Sequence, residues 1–125
     1  MSLKILLEKE HPPTIALEGR LDSVTAPDLD RLLDRVLTRK GIPRVVFDLG
    51  QLDYLSSAGI RCFVRARKAI EPNGGKIAIV NPKPAVQKVL DIVKAIPPGG
   101  LFKSVAELDA YLDEMQRKVR EGESE

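Results

Sequence analysis

The chain has 125 residues, of which 43% are hydrophobic and 30% charged, and that suits one globular domain with a core of its own. Twenty Lys and Arg nearly balance eighteen Asp and Glu, leaving a net charge of +2, and aromatics are only 4% with no Trp; this excludes the clustered basic excess and the stacking platforms of a nucleic-acid binder. One cysteine excludes an intramolecular disulfide, and the absence of a signal-peptide pattern or a membrane-length apolar run points to the cytoplasm with no membrane insertion.

Ile5 and Leu7, then Ile15 and Leu17, alternate with more polar neighbours. That period of two predicts strands. His11-Pro12-Pro13 between them blocks helix and predicts a turn, so the pair reads as an antiparallel hairpin. Gly19 ends the second strand, and Leu21 continues it briefly. Thr25 stands where it would cap a helix opening at Ala26-Pro27, since proline is tolerated in a first turn. Leu29, Leu32, Leu33, Val36 and Leu37 keep the helical 3/4 spacing. Gly41 and Pro43 stop it.

Val45 to Leu49 is a nearly continuous apolar run, which predicts a central strand covered on both faces or nearly so. Leu52 to Leu55 reads as a connection to Ser56-Ser57-Ala58-Gly59. From there Ile60, Phe63, Val64, Ala66 and Ile70 predict a second helix with one apolar face, ended by Pro72-Asn73-Gly74-Gly75. Lys76 to Val80 is another strand. Asn81-Pro82-Lys83-Pro84 opens a third helix through Val86, Val89, Leu90 and Val93. Pro97-Pro98-Gly99-Gly100 is a break. Phe102 to Val105 reads either as a short last strand or as the entry to a final helix. Ser104 and Glu107 have capping-box spacing for that helix, and Leu108, Tyr111, Leu112 and Met115 form its apolar stripe. Residues 1–116 read as a single domain, and residues 117–125 as a charged tail that frays. The alternation of strands and helices predicts an α/β fold. Its sheet is mixed, with packed helices, parallel later strands and an antiparallel element at one side.

An enzyme brings ionisable groups together near strand ends, and the candidates here are poor. His11 is the only histidine and reads as an inert surface residue beside two prolines. Cys62 reads as a small core residue, because no histidine is placed to activate it. No CxxC and no histidine pair occurs, so no metal site is expected. Gly74-Gly75 and Gly99-Gly100 lack the Lys-Ser/Thr of a P-loop and read as turn punctuation. No cofactor is expected either.

The serine turn is the informative feature. It follows a buried strand and opens a helix, where backbone N–H groups lack helical partners. One reading is an ordinary N-cap with a glycine for close packing. The other is a phosphoacceptor. A phosphate on Ser57 would lie near the positive end of the helix dipole, within reach of Arg61 one turn on. Asp22-Ser23-Val24-Thr25 is a second polar cluster, either a capped loop or part of a contact surface. Arg61, Arg65 and Lys68 form a basic stripe, either a solvated face or a surface for an acidic partner helix.

Taken in order, these pieces resemble the STAS domains of bacterial anti-sigma factor antagonists, the SpoIIAA-like family. The segments that carry the resemblance are Gly19-Arg20-Leu21-Asp22, Thr25-Ala26, Val45 to Leu49, and Leu52-Asp53-Tyr54-Leu55-Ser56-Ser57-Ala58-Gly59-Ile60-Arg61. Gly74-Gly75-Lys76, Pro84-Ala85-Val86 and Leu101-Phe102 continue it. It covers about residues 3–113. The resemblance implies a STAS fold and partner switching without catalysis. The unmodified antagonist binds an anti-sigma factor that is also a serine kinase of the histidine-kinase-like ATPase type. Phosphorylation then drives the two apart, and a serine phosphatase resets the cycle. In the family the acceptor lies in D-S-x-G, which falls on Ser57 here, with Asp22, Ser23 and Thr25 on the neighbouring loop. The implied contact surface is Asp22, Ser23, Thr25, Ser56, Ser57, Ala58, Gly59, Ile60, Arg61 and Arg65. This chain departs from the pattern where Ser56 replaces the acidic residue, which keeps Ser56 as the alternative acceptor. Pro97-Pro98-Gly99-Gly100 looks like a small insertion. A STAS accessory or sensory module that binds a transporter subunit, lipid, nucleotide or other small ligand is the alternative function on the same fold.

Overall fold

The structure is a computed structural model that describes residues 3–38, 41–95, 110, 114 and 116–118. Strands β1 (Leu3–Glu10) and β2 (Pro13–Leu21) form the expected antiparallel hairpin, with Ile5 opposite Leu17 and Leu7 opposite Ile15. Helix α1 (Ala26–Val36) leads to β3 (Arg44–Leu55), α2 (Ser57–Ile70), β4 (Lys76–Val80) and α3 (Pro84–Ala95). The sheet order is β1-β2-β3-β4. β2, β3 and β4 run parallel, joined by helical crossovers, and β1 is the antiparallel edge. This is the mixed α/β arrangement that the sequence pattern predicts.

Alternation fixes which face of each strand is buried. Val45, Phe47 and Leu49 on β3 have no exposed surface, as do Ile15 and Leu17 on β2. Val46 and Asp48, on the other face of β3, are half-buried. α1 and α2 pack on each other, α2 also packs on β3 and β4, and α3 packs on β3. Phe63 of α2 meets Phe47 of β3 with ring centroids 4.7 Å apart and planes tilted by 51°, a favourable offset geometry. Arg65 ties the two helices together, with Nη1 2.8 Å from Asp30 and Nη2 3.4 Å from Asp34 of α1.

Three local expectations change. β3 is 12 residues long and includes Leu52 to Leu55, so the expected connection is strand. Leu52 and Tyr54 are buried while Gln51 and Asp53 are exposed, the same period of two that marks the rest of the sheet. Gly19 does not end β2, which runs on to Leu21. It takes φ +102° within the strand, next to a register shift between Gly19 and Arg20; glycine allows that backbone. Thr25 stands at the N-cap position of α1 but makes no side-chain cap.

No helix among the described residues is long and apolar enough to cross a membrane. The Pro97-Pro98-Gly99-Gly100 break and the Phe102 to Val105 reading lie outside the described residues. So does most of the final helix, of which residues 110, 114 and 116–118 are described and helical.

Candidate functional site

β2 and β3 run side by side to the same end of the sheet, with Leu21 opposite Leu55. Immediately beyond them lie the Asp22–Thr25 loop and the serine turn. A backbone hydrogen bond from Ser56 N–H to Leu21 C=O, 3.0 Å long, joins the two. The fold therefore brings together two segments that are more than thirty residues apart in sequence.

The loop is stiffened from within. The Asp22 carboxylate Oδ1 accepts hydrogen bonds from Val24 N–H at 3.0 Å and Thr25 N–H at 3.1 Å. Thr25 Oγ1 accepts from Asp22 N–H and donates to Arg20 C=O, each at 2.9 Å. The Thr25 hydroxyl thus holds the loop back onto β2 instead of capping α1, a competition open to any threonine beside backbone acceptors. Arg20 lies over the Tyr54 ring, 4.0 Å from its centroid, with Nε 3.6 Å from Asp22. Burial alone would raise the Asp22 carboxyl. The hydrogen bonds from Thr25 and Val24 and the charge of Arg20 outweigh it and hold the group below its ordinary value.

Ser56 stands at the N-cap of α2 in extended conformation and makes no side-chain cap. Its backbone C=O accepts from Ile60 N–H at 3.1 Å. Among the described residues its buried Oγ has no hydrogen-bond partner. Ser57 opens the helix itself. Both serines are closed off, with 5% of Ser56 and 3% of Ser57 exposed. Ala58 is half-buried, and Gly59 and Ile60 are buried. Ser23, Arg61, Arg65 and Lys68 are exposed. Of the basic stripe, Arg65 is committed to the α1–α2 seam.

Cys62 is buried one turn into α2, with Sγ 3.7 Å from Ala26 C=O. Burial and a hydrogen bond with Asp30 push its thiol up to about 12. That keeps it a neutral packing group rather than a nucleophile. No cluster of His, Cys, Asp or Glu suited to a metal ion occurs among the described residues. Two of the cavities are larger, and neither is lined by Ser56 or Ser57. One of about 370 Å³ is lined by His11, Pro12, Pro13 and Ile42 at the opposite end of the sheet. Another, of about 570 Å³, lies between α2, β4 and α3 and is lined by Ile60, Phe63, Val64, Arg67, Ile77, Ile79 and Leu90.

The model of the STAS domain matches residues 5–108, most of the chain. The chain belongs to the STAS domain family. BtrV of Bordetella bronchiseptica is 36% identical to this STAS domain over 91 residues, 72% of this chain and 78% of BtrV. The anti-sigma F factor antagonist of Paenibacillus polymyxa is 29% identical over 104 residues, 82% of this chain and 84% of that protein. The crystal structure of an anti-sigma factor antagonist from Mycobacterium paratuberculosis superposes with a TM-score of 0.64 at 22% identity, over 95% of each chain, and so shares the fold. These likenesses place the STAS domain with the SpoIIAA-like anti-sigma factor antagonists.

Two residues of this end of the molecule were not singled out by the sequence. Val24 is 81% exposed at the tip of the stiffened loop, the most exposed large hydrophobic side chain among the described residues. Its apolar character within a polar cluster was the signal. Gln116 is fully buried against Leu55. It lies in a charged stretch where a glutamine ordinarily means surface.

Proposed function

We propose that this STAS domain is a cytoplasmic anti-sigma factor antagonist without catalytic activity of its own. It binds an anti-sigma factor that is also a serine kinase of the histidine-kinase-like ATPase type. Phosphorylation on Ser57 ends the complex, and a serine phosphatase restores it. The observation that carries the reading is the junction of the serine turn with the Asp22–Thr25 loop at one end of the parallel strands. The likeness to the anti-sigma F factor antagonist of Paenibacillus polymyxa supports the antagonist role. The docking face comprises Asp22, Ser23, Val24 and Thr25 with Ser56 to Arg61 and Arg65. A phosphate added there brings a charge of about −1.5 to −2 onto a surface built to meet a partner, and the N-terminus of α2 favours that charge electrostatically. Ser56 is the alternative acceptor, since it adjoins Ser57 and its Oγ has no partner among the described residues.

The test uses the protein together with the kinase that co-purifies with it, plus ATP. Mass spectrometry then reads the tryptic peptide between Arg44 and Arg61. The expected result is one phosphate, lost in Ser57→Ala and retained in Ser56→Ala. A demonstrated kinase partner that leaves this peptide unmodified would overturn the reading. The apolar cavity between α2, β4 and α3 is the observation that favours the second reading, a ligand-binding STAS module. A small molecule retained in native mass spectrometry would move the assignment there.

A further inference from the structure

The packed side of α2 is carried by Gly59, Ile60, Cys62, Phe63, Ala66 and Ile70. On the opposite side Ser57, Arg61, Val64 and Lys68 form one row, with the i, i+4, i+7, i+11 spacing of a single helix face. Arg61 and Lys68 are exposed and Val64 is half-buried, while Ser57 closes the head of the row. The cations of this helix differ in what holds them. Arg65 is tied to Asp30 and Asp34 of α1, and Arg67 lies 3.7 Å from Glu71. Among the described residues Arg61 makes no ion pair or hydrogen bond, and the first turn of α2 contains no acidic side chain to engage it.

A helical side chain leans toward the N-terminus, over the turn before its own. Arg61 therefore leans toward the turn that Ser57 begins. An anion at Ser57 with a cation four residues on has the spacing and the order that favour ion pairs on a helix. The arginine fork also matches phosphate, with two parallel N–H···O bonds. The kinase transfers the γ-phosphoryl group of ATP to Ser57 Oγ, releasing ADP and the hydroxyl proton. We propose that Arg61 is a switch cation: free in the unmodified protein to meet an acidic group of the partner, it folds back onto phosphorylated Ser57 and is withdrawn from the docking face. Phosphorylation then acts by adding negative charge and by removing the positive charge that the partner meets. The switch rests on the reading of Ser57 as acceptor. Lys68, in the same row but roughly 16 Å along the axis from Ser57, is too distant to be drawn in.

The test compares the full-length wild type with Arg61→Gln and Lys68→Gln; both side chains are exposed, so neither change disturbs the core. Phosphorus NMR follows the titration of the phosphate placed by the co-purified kinase and ATP, and calorimetry measures binding of each unmodified chain to that partner. A paired cation favours the phosphate dianion, whose ordinary second pKa is about 6. The second acid constant is expected to be at least about threefold larger in the wild type than in Arg61→Gln, with Lys68→Gln like the wild type. Unmodified Arg61→Gln is expected to bind the partner at least about fivefold more weakly than the wild type. Equal acid constants in the wild type and Arg61→Gln overturn the pairing, and undiminished affinity overturns the docking role; either result overturns the switch. Effects of the same size in Lys68→Gln overturn it as well, because they assign both readouts to net charge. Absence of phosphate on Ser57 overturns the acceptor reading and the switch with it, and mass spectrometry of the Ser57 peptide separates that failure from the others.

Discussion

A Cβ at residue 59 would lie 2.6 Å from Leu21 Cγ, 2.7 Å from Leu55 Cδ1 and 2.8 Å from Leu21 Cδ2. All three contacts fall below ordinary van der Waals separation, and both leucines are fully buried, so neither has free space to move into. The glycine of the serine turn is therefore set by packing. It lets the first turn of α2 sit directly on the ends of β2 and β3, and that contact fixes where Ser56 and Ser57 lie. Gly59→Ala is expected to cost about 1–3 kcal/mol, the usual range for overpacking a core. The midpoint of urea unfolding measures it, and an unchanged midpoint would show that α2 shifts outward without penalty. Since α2 carries the serines, the same variant is expected to change their exchange rates as well.

At the scale of elements, the stiffened Asp22–Thr25 loop makes a prediction with a definite sign. Asp22 has its folded pKa lowered, because hydrogen bonds and Arg20 favour the carboxylate more than burial disfavours it. A lowered folded pKa means stability that is fully present above the unfolded value of about 3.9 and lost as pH falls through the folded value. Asp22→Asn removes the titration. The wild type is expected to be the more stable at about pH 7, with the gap closing as pH falls below about 4. Urea midpoints across that range check it, and a gap independent of pH would assign the effect to geometry rather than charge. This loop also shows what the sequence carried at this scale. Asp22 and Thr25 stood out as polar residues with backbone-bonding side chains, and they do bond backbone. The direction was not legible, because the Arg20 carbonyl that captures the Thr25 hydroxyl lies behind the loop rather than ahead in the helix. The extension of β3 was legible but went unread. Leu52 and Tyr54 alternate with Gln51 and Asp53, and the polar pair masked the strand after a continuous apolar run. Gln116 was not legible at all, since nothing local marks a side chain whose partner is 61 residues distant.

At the scale of the whole molecule, the parallel sheet decides what the surface can do. Its strand order puts the loop after β2 and the turn after β3 at the same end, the position where open α/β sheets ordinarily place their sites. The serines contribute little contact area there, being buried. The exposed apolar surface at this end is Val24, held at the loop tip by the bond from its N–H to Asp22 and preceded in the chain by the exposed Arg20. A rigid apolar tip with a charged rim is the form that interface anchors take, because little side-chain entropy is lost on docking. Val24→Asp is expected to weaken binding of the anti-sigma factor at least tenfold, about 1.4 kcal/mol or more. The unfolding midpoint should stay within about 0.5 kcal/mol of the wild type, since the residue is 81% exposed in the free protein. Calorimetric titration of the co-purified partner measures the first and urea unfolding the second. Undiminished affinity in Val24→Asp would move the docking face off this end of the sheet, and the role of Arg61 would fall with it. Weakened affinity together with unimpaired phosphorylation would separate the surface that holds the partner from the residue that is modified.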